Sequence, residues 1–146
     1  MNMLPDPYIT AVAMYRSMET RVATIVRRAN GLLETRFKEG VAIDMHGLLE
    51  NITTRRALCG DEPHVLLTIV PASVTFGTAH MSPELFPDAS ERAHLKAIAL
   101  VASEGVPGMM ARLYFSCFPD VAITKVFSDE ERAVLWLEEQ LSTSNN

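Results

Sequence analysis

The sequence predicts an α/β fold: a mixed sheet that opens with an N-terminal hairpin and is covered by helices. Three observations carry this. The first is Val65–Val70, a short apolar run with β-branched residues at Val65, Thr68, Ile69 and Val70. It lies between Pro63 and Pro71 and reads as a strand buried on both faces. The second is Asn30-Gly31 between two β-prone runs, a hairpin signal because both residues accept positive φ. The third is the later alternation of helical patterns with apolar runs at Leu95–Ala102 and Ala122–Phe127. Right-handed crossovers turn that order into parallel strands.

Residues 1–20 read as an arm and residues 21–146 as one domain, a length that suits a single core. Tyr8–Met18 is a helix or an irregular arm, and its Met and Ala content favours helix. Its apolar side chains need cover from the domain or from a second subunit, so a homodimer is expected. In the hairpin, a two-residue Asn30-Gly31 loop sets Ala29 opposite Leu32, Arg28 opposite Leu33 and Arg27 opposite Glu34. The last is an opposite-charge cross-strand pair. Lys38-Glu39-Gly40 ends the second strand.

Asp44 caps a helix that runs to about Cys59, with Gly60 as its stop. Met45, Leu48, Leu49, Ile52 and Cys59 share one face of it, and Arg55 and Arg56 read as a solvated rim. The hydroxyl-rich loop Ala72–His80 follows the central strand. Ser82-Pro83-Glu84 then starts a helix, which Pro87 interrupts and Ala89–His94 resumes. Ser103-Glu104-Gly105 is the exit loop of the Leu95–Ala102 strand. Val106–Phe118 reads as a helix with Val106, Met109, Met110, Leu113 and Cys117 on one face. Ser128 and Glu131 fit a capping box. The last helix turns Ala133, Val134, Leu137 and Leu141 inward beside Trp136, and frays from Ser142.

Composition bounds the function. Hydrophobic residues make up 48% of the chain and charged residues 21%, with a net charge of -5. An acidic protein of this kind is not expected to bind nucleic acid or anionic lipid non-specifically. Cys59 and Cys117 are too few for a disulfide framework and read as buried free thiols. The first residues lack a basic n-region, and no apolar run reaches the ~18 residues of a transmembrane segment. A cytoplasmic location is the expectation.

No catalytic motif stands out. His46, His64, His80 and His94 lack the spacing of metal ligands, and the cysteines form no CxxC pair. There is no P-loop, GxSxG or GxGxxG. No enzyme activity, cofactor or metal is therefore expected. A ligand, if one binds, belongs in the crevice at the carboxyl ends of the central strands. Ser73 and Ser103 would offer polar contacts at its mouth, and Met109 and Met110 an apolar wall. Thr78 and His80 lie in the loop after the central strand. Glu104 lies between a buried strand and a helix start, where a carboxyl can be perturbed. The structural alternative is plain: loop residues solvated, Ser103 a helix cap, and the methionines filling a core.

The order GLLETRFKEGVAID, a helix ending ALCG, then HVLLTIV, LKAIALV and ITKVFSDEERAVLWL resembles the small bacterial SpoIIAA-like proteins of the STAS type. The resemblance covers Val22 to Leu141. It implies a STAS-like mixed sheet and a non-enzymatic interaction or regulatory module with a protein partner. Structural relatives that carry apolar molecules imply the alternative, a carrier of a small lipid-like ligand. In the antagonists of this fold, a serine after the central strand is phosphorylated and controls partner binding. The matching loop here reads Phe76-Gly77-Thr78-Ala79-His80, with Ala79 and His80 where the serines would be. Switching by phosphorylation in that manner is not expected.

Overall fold

A computed structural model describes residues 16–28, 30–60, 62–76, 94–102, 105 and 123–144. The strands are β1 (Arg16–Glu19), β2 (Ala23–Arg27), β3 (Leu32–Phe37), β4 (Ala42–Ile43), β5 (His64–Val70), β6 (Thr75–Phe76), β7 (Leu95–Ala102) and β8 (Ile123–Phe127). The helices are α1 (Met45–Cys59) and α2 (Glu130–Ser144). Six strands form one mixed sheet in the order β1-β2-β3-β5-β7-β8. β1, β2 and β3 run antiparallel in turn, and β3, β5, β7 and β8 are parallel neighbours. β4 and β6 make a separate two-stranded parallel ribbon. The expected helices over residues 82–94 and 106–118 fall outside the described residues, His94 apart.

Alternation along the strands sends two sets of apolar side chains to opposite faces. One set, including Ile25, Leu33, Phe37, Leu66, Ile98 and Leu100, packs with Leu48 and Ile52 of α1. The other, including Leu32, Val65, Leu67, Ala97 and Ala99, packs with Ala133, Leu137 and Leu141 of α2. β5 is central and buried on both faces, as its unbroken apolar run requires. Asp44 caps α1, its carboxylate accepting from the Gly47 amide at 2.8 Å. Gly60 ends that helix at φ 57°, its amide donating to the Arg56 carbonyl.

Six local expectations are corrected. The arm does not end as helix, since Arg16–Glu19 is an edge strand paired with β2. Sheet hydrogen bonds outweigh the weak helix preference of so short a run. The hairpin register is one residue off: Arg27 lies opposite Leu33, and Val26 opposite Glu34. The Arg28 amide donates to the Leu32 carbonyl, so three residues lie between those two rather than two. Gly31 takes φ 89°, as the closing residue of such a three-residue loop must.

The expected Arg27–Glu34 pair is therefore replaced. Arg27 turns to the end of α1, where it donates to the Leu58 carbonyl at 2.9 Å and pairs with Glu62. Arg28 takes Glu34 instead. In α1, Arg55 is buried rather than solvated, while Arg56 is exposed. Arg55 stands three residues after Ile52 and four after Asn51, both buried, and so shares their stripe. At α2 the cap is Asp129 and not Ser128: its carboxylate accepts from the Glu131 amide at 3.0 Å. The helix then continues past Ser142 to Ser144.

Candidate functional site at the carboxyl end of the central strands

The carboxyl ends of β3 and β5 lead into segments that are stitched together. Ala42 pairs with Thr75 and Ile43 with Phe76, and the Thr75 amide donates to the Val41 carbonyl at 3.0 Å. Ser73 adds a side-chain tie: its hydroxyl donates to Glu39 and accepts from the Gly40 amide. It is exposed, at the rim where a ligand contact was expected, and its bonds join the turn after β3 to the loop after β5. These bonds make its hydroxyl a tie between the two turns. Thr78, His80, Ser103, Glu104, Met109 and Met110 lie outside the described residues, as do Ala79 and Cys117.

Below this rim lies a feature that the sequence reading missed. Thr35 and Thr68 are register partners in the parallel β3–β5 pair, so their side chains stand side by side on the α1 face. They are 2% and 0% exposed. Neither hydroxyl has a hydrogen-bond partner among the described residues. Ile25 and Leu100 complete the row across the sheet, opposite Thr35 and Thr68 respectively. Threonine within a strand buried on both faces was the available signal, since valine has the same shape without the polar atom.

On the α2 face, charge is held rather than offered. The Glu34 carboxylate accepts from Arg28 at 2.7 Å and from Arg36 at 3.2 Å. Arg36 also donates to Glu130, in the first turn of α2, at 2.8 Å. Burial alone would lower the Arg36 pKa. The hydrogen bond that Arg36 donates to Glu130, and the charges of Glu34 and Glu130, more than offset it and hold the group above its usual value. On the α1 side, the Gly47 amide and the neighbouring Arg21 draw the Asp44 carboxyl below its usual value, against a smaller opposing effect of desolvation. Among the described residues, no group of histidine, cysteine, aspartate and glutamate side chains is arranged to hold a metal ion. No helix among them is long and apolar enough to cross a membrane.

At the far side of the sheet, β8 pairs only with β7 among the described residues. Ile123 is 62% exposed and Val126 42% exposed, on opposite faces of this edge strand. Lys125 lies over the rings of Phe127 and Trp136, 5.4 Å and 6.0 Å from their centroids. β8 thus presents one cation flanked by apolar side chains, on the outermost described strand of the sheet.

A family model described as Domain of unknown function (DUF7793) matches residues 26–141. The chain belongs to this family. The DUF7793 region takes in β3 to β8, α1 and α2 as far as Leu141, and leaves β1 outside. No curated protein matches the chain. Its structure is similar to the crystal structure of an uncharacterised protein of the DUF3478 family with a SpoIIAA-like fold, from Shewanella loihica PV-4. The two share 15% identity, with a TM-score of 0.48, and the match covers 84% of this chain and 91% of that one.

Proposed function

We propose that this protein is a non-enzymatic interaction module, and that it receives a protein partner at the β8 edge. The observation that supports this is the exposure of Ile123 and Val126 on an edge strand. Edge strands are ordinarily guarded by charge, short length or cover, because their unpaired backbone groups accept further strands. Here one lysine stands between exposed apolar residues. An extended partner segment added to β8 would gain backbone hydrogen bonds, and Ile123 and Val126 would supply side-chain contacts. The test is comparative capture from the native host with wild type and with Ile123→Asp and Val126→Asp. A partner retained by the wild type and lost by both folded variants supports the proposal. An unchanged set of captured proteins contradicts it.

Self-association belongs to the same proposal, at the opposite edge. All four residues of β1 are exposed, Met18 among them. A second copy pairing there would supply the cover that the apolar arm calls for. A second reading, a carrier of a small apolar ligand, is favoured by one observation: the two unpartnered hydroxyls within an apolar layer.

A further inference from the structure

We infer that Thr35 and Thr68 together form a buried binding site for one neutral oxygen, either a water or the hydroxyl or carbonyl oxygen of an apolar ligand. This site is independent of the β8 edge.

The argument begins with cost. A buried hydroxyl that makes no hydrogen bond loses its water without compensation, and such groups are rare in folded proteins. Two of them stand here as direct register partners. Their described neighbours within the sheet on this face, Leu33, Leu66, Phe37, Val70, Ile25 and Leu100, are apolar and buried. Nothing in that ring can serve as donor or acceptor through its side chain.

Geometry then selects the occupant. Adjacent strands lie about 4.8 Å apart. One oxygen at ordinary hydrogen-bond length of roughly 2.8 Å from each hydroxyl spans that separation. Each threonine hydroxyl both donates and accepts, so a single oxygen bridging the two needs no further side chain. The occupant is neutral, because an ion in an apolar ring without a counter-charge is strongly disfavoured. A buried water typically bridges two to four polar groups of this kind. A ligand would place one oxygen on the threonines and its hydrocarbon among Leu33, Phe37, Leu66 and Val70.

A high-resolution crystal structure of the full chain tests this. The expected result is one oxygen within hydrogen-bond distance of both Oγ1 atoms. Direct bonding of one hydroxyl to the other, or no density between them, would overturn the inference. Native mass spectrometry separates the two sources. An added mass lost on denaturation identifies a ligand, and the bare chain mass together with that oxygen identifies a water. Thermal unfolding provides a second readout. With a shared oxygen, Thr35→Val lowers the midpoint, and adding Thr68→Val recovers part of the loss. Two additive increases in midpoint would contradict a shared partner.

Discussion

Arg28 and Glu34 are bound across the hairpin at 2.7 Å although they are not register partners. Arg28 lies opposite Leu32, and Glu34 lies opposite Val26, so the pair is diagonal on the α2 face. Long side chains reach such diagonal neighbours. Arg36 joins from the next same-face position and carries the network to Glu130. Glu34 is the hub, nearly buried between two arginines. Glu34→Gln keeps the shape and removes the charge. It should cost about 1–2 kcal/mol, toward the low side for charged hydrogen bonds because Arg36 is half-exposed. Urea unfolding of the wild type, Glu34→Gln, Arg28→Met and the double variant measures this. Additive single effects would show that the pair has no coupling energy.

Gly47 gives a prediction whose sign separates two effects. Helix propensity alone makes Gly→Ala inside a helix favourable by about 1 kcal/mol. In α1, however, a Cβ at Gly47 would stand 2.9 Å from Val22 Cγ1 and 3.0 Å from Cγ2. Val22 is itself fully buried and has no room to retreat. Gly47→Ala should therefore destabilise the protein, by about 1–3 kcal/mol from overpacking. A raised thermal midpoint would contradict the close approach of α1 to the β1–β2 turn.

Gly31 is constrained differently. Its φ of 89° is open to glycine and strained for L side chains. Gly31→Ala should cost about 1–2 kcal/mol by the left-handed penalty. The same substitution at Gly60, with φ 57° and nothing within 4 Å, tests the backbone effect without neighbours. Chemical denaturation of both variants checks this. No loss at either position would contradict the positive φ angles.

Asp44 links stability to pH. Its pKa is depressed in the folded chain by the Gly47 amide, with partial desolvation opposing and Arg21 assisting. A depressed carboxyl contributes stability above its unfolded value, and that contribution disappears as pH falls through the folded value. The loss belongs below about pH 4. Asp44→Asn keeps a capping side chain without a titrating charge. The stability difference between wild type and this variant should shrink as pH falls through that window, as followed by circular dichroism melts. A difference that stays constant from pH 7 to pH 3 would contradict the role given to Asp44.

Self-association has a direct measurement. Light scattering of the full chain at micromolar concentration should give twice the chain mass, and Met18→Glu should return it to one. A monomeric wild type would remove β1 as a contact between copies.

Much of the sheet was legible in the sequence because its signals are local and strong. The Val65–Val70 run, the Leu95–Ala102 run and the Asp44 and Gly60 helix limits all stand where the residues indicate. The hairpin was legible and its register was not. Asn30-Gly31 suits either loop length, and the choice is made by which bonds Arg28 forms with Leu32. Arg55 was misread because charge outweighed position in the reading, although its spacing from Ile52 marks it as inward. The β4–β6 ribbon was illegible: two residues on each side make no periodic pattern. Of the expected site, only Ser73 falls among the described residues, and there it ties two turns together. The Thr35–Thr68 pair depends on cross-strand register, which no single run of sequence contains.

The most direct test of the proposed function is amide hydrogen exchange at residues 123–127, with and without the partner recovered by capture. A partner that adds a strand to β8 should slow exchange of the outward-facing amides of Ile123–Phe127, while β5 amides stay unchanged. Unaltered exchange at β8 in the presence of a saturating partner would contradict an interaction module that works through this edge.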